Sequence, residues 1–371
     1  MKRNILKFCK TLLVAIFLAG SSVWASPLNL ALLSSQYASW GVSPTNKTSS
    51  INLVDAWKNY KDKKEVVVAV IDTGIDLTHP FLKNNIYIPV GAVSKTNFGM
   101  DFSKKAEFKN QPQDNHGHGT HVSGIIKSVF PKVKILALKY YNQNATGIDN
   151  LNSTIEALKY AVEMKVDIIN YSGGGPEPST EEAKILKLAE AQGILVVAAA
   201  GNEESDIDIE KNSYYPASYG LSNIITVTAH AKDLSLLASS NYGKKAVDIS
   251  APGHRIKSAL QNSRLGTLTG TSQATAFVTG VAALMLSQFP NLRPSEMKEI
   301  IKASAIKETT LAEKCSSGGR LDATEALKLA ALKVTTPKRN IAERSNMPNT
   351  KVGVISYRTK AKKKKNRKKK N

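Results

Sequence analysis

Between residues 66 and 332, short runs of β-branched and other apolar residues alternate with stretches whose apolar positions recur every three or four residues. The runs at 66–71, 134–139, 166–170, 194–199, 224–229 and 247–250 are apolar at nearly consecutive positions, which predicts strands buried on both faces. The amphipathic stretches at 119–129, 151–164, 180–191, 272–288, 294–304 and 322–332 predict helices. A helix between successive strands is what a parallel crossover requires. The expected fold is therefore α/β: a doubly wound, mostly parallel sheet with helices on both faces, forming a single domain over 61–333. In such sheets ligand sites form at the carboxyl ends of the strands.

The two ends break this pattern. Lys2, Arg3, Lys7 and Lys10 precede an apolar stretch at 12–18, and small residues follow up to Val23-Trp24-Ala25. This is the order of a secretory signal peptide over 1–25, with an apolar part too short to span a bilayer at about 20 residues per helix. Cleavage near Ala25 is expected, and with it a secreted or periplasmic protein in which 26–60 form an N-terminal arm. Cleavage removes Cys9 and leaves Cys315 as the sole cysteine, so packing rather than a disulfide must stabilise the mature chain. At the other end, residues 334–371 hold +13 of the formal +21, and ten Lys or Arg crowd 358–370. So much charge with so little apolar surface predicts a disordered polybasic tail. Such a block can hold an anionic surface (lipopolysaccharide, acidic lipid or nucleic acid) in a salt-sensitive, sequence-blind way.

Three polar residues stand where the predicted elements begin or end. Asp72 follows the first strand and precedes Thr73-Gly74. His118 lies in His116-Gly117-His118-Gly119-Thr120-His121 at a helix start, and Ser272 in Gly270-Thr271-Ser272 at another. Singly, an Asp after a strand is a turn former and a Ser beside a Gly is a cap. Together they supply an acid, a base and a nucleophile. A serine hydroxyl attacks only when an imidazole takes its proton, and the imidazole needs a carboxylate to fix its tautomer and stabilise its charged form. A helix N-terminus also favours the anion that develops there. Two rival readings fall away. Asp72-Thr73-Gly74 is the tripeptide of aspartic proteases, but that mechanism needs two carboxylates sharing a proton, and no second Asp-Thr-Gly or Asp-Ser-Gly exists. The three clustered histidines are two and three residues apart with no Glu in the His-Glu-x-x-His sense, so no metal is expected.

Asp, His and Ser in that chain order belong to the subtilisin arrangement. The stretches Val-Ala-Val-Ile-Asp-Thr-Gly-Ile-Asp-Leu-Thr-His-Pro (68–80), Gly-His-Gly-Thr-His-Val-Ser-Gly (117–124), Ala-Ala-Ala-Gly-Asn-Glu (198–203) and Leu-Thr-Gly-Thr-Ser-Gln-Ala-Thr-Ala (268–276) extend the likeness. Over roughly 40–330 the chain resembles the subtilisin-like serine proteases, which makes 61–333 the expected peptidase domain. The resemblance implies a triad of Asp72, His118 and Ser272, and an oxyanion hole made by Asn202 with the Ser272 backbone N–H. It also implies substrate pairing along Ser172, Gly173 and Gly174, where a peptide adds as a strand with few demands on its side chains. His121 is expected to be packed nearby and His116 to be exposed.

Glu203, Glu204, Asp206, Asp208 and Glu210 cluster where the family builds the pocket for the residue before the scissile bond. The favoured reading is a solvated acidic loop, and the alternative is a pocket that prefers basic peptides. The chain departs from the family at Gln273-Ala274-Thr275-Ala276, where Met-Ala-Ser-Pro is usual. The calcium loop that many relatives insert after the His helix is missing, and little chain separates Ala25 from Trp40 for a folding propeptide. The expected function is an exported serine endopeptidase of broad specificity, acting on protein or peptide substrates as a monomer without a cofactor. The alternative is an inactive relative that binds anionic surfaces through 358–370.

Overall fold

The computed structural model describes residues 28–89, 97–103 and 109–335. The expected signal segment, and all of the expected tail except Val334 and Thr335, lie outside the described residues. Those up to Val334 belong to one compact unit. In chain order the strands are β1 (Val67–Asp72), β2 (Gly99–Asp101), β3 (Lys134–Lys139), β4 (Ile168–Tyr171), β5 (Leu195–Ala199), β6 (Ile224–His230), β7 (Ile249–Pro252), β8 (Ile256–Leu260), β9 (Arg264–Leu268), β10 (Ile306–Lys307) and β11 (Gly319–Arg320). The helices are α1 (Leu53–Lys58), α2 (His118–Val129), α3 (Gly147–Glu163), α4 (Thr180–Ala191), α5 (Thr271–Gln288), α6 (Pro294–Ala303) and α7 (Ala323–Thr335).

Among the described residues, nine strands form one sheet in the order β10-β11-β7-β6-β5-β4-β1-β3-β2, parallel throughout except for the β10–β11 edge pair. Alternation along β1 divides the core between two faces, as the period of two in a strand demands. Val68 and Val70 pack with Val122 and Ile125 of α2 and with Phe277 and Val281 of α5. Ala69 and Ile71 point the other way, to Ala157 and Leu158 of α3 and Ile185 and Leu186 of α4. The chain thus crosses one face through α2 and the other through α3. Because β1 pairs with β3 on one side and β4 on the other, the winding reverses at β1. A crevice opens at the carboxyl end of the strands where the winding reverses, and Asp72 is the last residue of β1.

Helix α5 carries no charged residue, and all of it but Gln288 is buried. A helix apolar on every side belongs inside a core, and here it runs behind β4, β5, β6 and β7 with α2 alongside. Its amino end, with Ser272, is therefore fixed by the centre of the domain. The arm expected over 26–60 joins the same core through Leu28, Leu33, Val42, Ile51, Leu53 and Trp57, and the Trp57 indole donates to the Val129 carbonyl at 2.9 Å. Several elements are new relative to the sequence pattern, α1 and the β10–β11 edge pair among them. Strand β2 is three residues long, and β8 and β9 form an antiparallel hairpin turned by Asn262 and Ser263 at positive φ.

Candidate active site

Asp72 is 3% exposed. Its Oδ1 lies 2.7 Å from His118 Nδ1 and also accepts the Thr73 backbone N–H at 2.7 Å. The second bond fixes the carboxylate rotamer, and the first assigns the His118 proton to Nδ1, leaving Nε2 as the free base. His118 opens α2, whose first turn is seated directly on the turn after β1. A Cβ on Gly119 would lie 2.1 Å from the Gly74 carbonyl oxygen, so only glycine allows that approach.

A carboxylate that the sequence reading passed over holds this corner together. Asp114, 2% exposed, accepts from the Thr73 hydroxyl at 2.9 Å, the His116 and Gly117 N–H groups at 2.9 and 2.7 Å, and the Thr120 N–H and hydroxyl at 3.0 and 2.6 Å. The Thr73 hydroxyl in turn accepts the Gly119 N–H at 2.9 Å. The only linear signal was an Asp four residues before His118, which reads as one more loop residue. Burial by itself would lower the pKa of His118, but the charge and hydrogen bond of Asp72, with a contribution from Asp114, raise it above 6.5. His121 is buried, with Nε2 at 2.9 Å from the Ile256 carbonyl; burial and the neighbouring His118 push its pKa down to about 4, so it stays neutral. His116 is exposed, its ring edge-on to Tyr141.

Ser272 lies in the first turn of α5 and is 7% exposed. Its hydroxyl donates to the Ser172 carbonyl at 3.0 Å rather than to His118. Asn202, exposed in the turn after β5, uses Oδ1 to accept the Thr271 N–H at 2.9 Å and the Thr271 hydroxyl at 3.3 Å. With its oxygen engaged at the start of α5, the exposed amide keeps Nδ2 as its remaining donor. Tyr140 ties the two halves of the site: its N–H donates to the Asp72 carbonyl at 3.0 Å, and its hydroxyl would stand 2.4 Å from a Cβ on Gly173. Glycine at 173 lets the phenol pass beneath the segment formed by Ser172, Gly173 and Gly174. That segment continues β4 past the sheet, and Gly175 exchanges hydrogen bonds of 3.0 and 2.8 Å with Tyr215.

The carboxylates at 203–210 are largely engaged with their own surroundings. Asp208 accepts the N–H groups of Lys245 and Ala246 at 2.9 and 2.7 Å, Asp206 that of Asp208 at 3.0 Å, and Glu203 the Asn241 amide at 2.5 Å. Among the described residues no cluster of three His, Cys, Asp or Glu is placed to hold a metal ion.

A carboxylate fixing an imidazole, a serine at a helix amino end and an exposed side-chain amide are together the parts for acyl transfer. Residues 63–345 match the model of the subtilase family. The chain is 36% identical over 247 residues to the major intracellular serine protease of Bacillus subtilis, covering 64% of this chain and 73% of that one. It is 32% identical over 249 residues to subtilisin DY of Bacillus licheniformis, covering 65% and 83%. Among solved structures, a protease of Pseudoalteromonas arctica superposes with a TM-score of 0.64 at 23% identity, over 78% of this chain and 97% of that one, a likeness of fold.

Proposed function

The chain belongs to the subtilase family and is a serine endopeptidase, and within that activity we propose that Asp72, His118 and Ser272 are its triad and Asn202 its oxyanion donor. The observation that carries the assignment is the 2.7 Å bond from Asp72 to His118 Nδ1, which leaves Nε2 as the nitrogen free to accept a proton. A peptide lies along Ser172, Gly173 and Gly174 as an added strand. The Ser272 hydroxyl turns from the Ser172 carbonyl toward His118, gives its proton to Nε2 and attacks the scissile carbonyl carbon. Catalytic hydrogen bonds of this kind commonly tighten only once substrate is bound. The carbonyl oxygen, now negative, accepts from Asn202 Nδ2 and the Ser272 N–H. His118 then gives the proton to the departing amine, leaving an acyl-enzyme. Water, deprotonated by the same Nε2, releases the acid and restores Ser272.

Main-chain pairing supports broad specificity, and the basic, apolar and small-residue order over 2–25 supports export. The ten basic residues of 358–370 would then tether the enzyme to an anionic surface. The inactive-relative alternative is not favoured. The test is to express residues 26–371 beside a Ser272→Ala form and treat both with a fluorophosphonate probe and casein. Labelling and cleavage present in the first and lost in the second are expected. A folded wild type that does neither would overturn the assignment.

A further inference from the structure

Beside Gly174 and Gly175 opens a cavity of about 440 Å³. Its walls include the rings of Tyr141, Tyr171 and Tyr215 and the side chain of Ile148. Two of the residues lining it are acids, Glu177 and Glu182, and none is a base. Glu177 is exposed at the rim, whereas Glu182 is 1% exposed. Glu182 Oε1 accepts the Tyr171 hydroxyl at 2.7 Å and Oε2 the Tyr219 hydroxyl at 2.8 Å. A carboxylate has about four acceptor positions, so two remain. Holding a pair of phenols needs an acceptor oxygen but no charge, and the amide oxygen of a glutamine would serve as well. Burial raises the Glu182 pKa, a cost that a cation in the cavity would offset.

The position of the cavity says which substrate residue reaches it. The residue carrying the scissile carbonyl lies beside Ser172, whose own carbonyl is 3.0 Å from the Ser272 hydroxyl. A peptide pairing antiparallel to 172–175 retreats from the scissile bond at about 3.3 Å per residue. Three residues back, its side chain comes level with Gly175 and the mouth of the cavity. A lysine or arginine there lays its methylene stem along Ile148 and the tyrosine rings and carries its charge inward, an arrangement that aromatic faces also favour.

We propose that this cavity selects a cationic side chain, Arg or Lys, at the fourth residue before the scissile bond, with Glu182 as the specificity-determining carboxylate. The proposal rests on the triad and strand pairing described above, and it places any basic preference at Glu182 rather than at the acidic loop 203–210.

Peptides identical except for Arg or its neutral near-isostere citrulline, placed in turn at the third, fourth and fifth residue before the cleaved bond, test it. With the wild-type enzyme, kcat/KM should favour Arg at least tenfold at the fourth position and less than twofold at the other two. Glu182→Gln should bring the fourth-position ratio to within twofold. A wild-type ratio below twofold at the fourth position, equal ratios at all three, or an undiminished ratio in folded Glu182→Gln would overturn the proposal. If that variant does not fold, the positional ratios of the wild type decide alone. Calorimetric binding of the fourth-position pair to the Ser272→Ala chain separates the two readings. A wild type that fails to label sinks the triad, whereas equal affinities for the Arg and citrulline peptides sink the cation site.

Discussion

Around His118 the polar groups are paired before any substrate arrives: Asp72 holds Nδ1, and Asp114 gathers five donors from Thr73, His116, Gly117 and Thr120. Around Ser272 the pairing is provisional, for the hydroxyl sits on the Ser172 carbonyl and must leave it to react. Under the proposed assignment the base is preorganised by a buried carboxylate network, and the nucleophile is parked on the segment along which a peptide would pair. Giving up one neutral hydrogen bond costs about 1 kcal/mol, so the parked hydroxyl slows the reaction little. Losing the geometry of the base would cost far more.

The largest test of this contrast is Asp72→Asn. The amide can keep the ring in place but supports the wrong tautomer, and kcat should fall by about 10⁴. Steady-state kinetics on a peptide substrate read the loss. A drop of less than tenfold would mean that His118 does not depend on this carboxylate. On the nucleophile side, Asn202→Ala removes one donor to the oxyanion and should lower kcat by about 10²–10³ with KM little changed. A change confined to KM would instead make Asn202 a ground-state contact. Because the two residues belong to different halves of the site, each effect should appear without loss of the fold, checked by circular dichroism.

The contrast also explains what could be read along the chain. Strands β1, β3, β4, β5, β6 and β7 were legible because both faces are apolar and each run is bounded by a turn. Strand β2 was not, since Gly99, Met100 and Asp101 carry no period, and the β8–β9 hairpin mixes Lys257, Ser258, Gly266 and Thr267 into a pattern without clear alternation. The proposed site residues Asp72, His118, Asn202 and Ser272 drew attention through local context at the ends of elements. Asp114 did not, because what makes it matter is contact with Thr73, some forty residues earlier. Glu182 was hidden differently: in Ser179-Thr180-Glu181-Glu182 it reads as an acid in the first turn of a capped helix, which it also is. Only the packing of α4 against β4 turns it toward Tyr171 and the cavity.

A smaller effect is expected at the network that holds the base. Asp114→Asn keeps one acceptor oxygen but sets an NH₂ against the donors it replaces. At Oδ2 that is the Thr120 N–H and hydroxyl. Leaving buried donors unpaired costs about 1–3 kcal/mol, which urea denaturation should register. The looser His118 should also lower kcat/KM, by less than Asn202→Ala does, with fluorophosphonate labelling slowed but retained. Full stability with full activity would show that the five bonds to Asp114 are redundant.

The pH dependence is the subtlest consequence, and its sign follows from one shift. Asp72 and Asp114 outweigh burial and raise the pKa of His118 above 6.5. Only neutral His118 can accept the Ser272 proton, so kcat/KM should rise with pH through an acid limb centred above 6.5. In Asp72→Asn the attraction is gone, burial dominates, and the limb should move to lower pH in whatever activity remains. Stability runs the other way. A group whose folded pKa is raised contributes stability that is full below its unfolded pKa and is lost as pH rises through the folded value. His118 therefore favours the folded state most where it is protonated and inactive, and the enzyme becomes active over the same window in which that contribution fades. A wild-type limb lying below 6.5, measured with kcat/KM on a neutral substrate, would mean that burial rather than Asp72 sets the charge of the base.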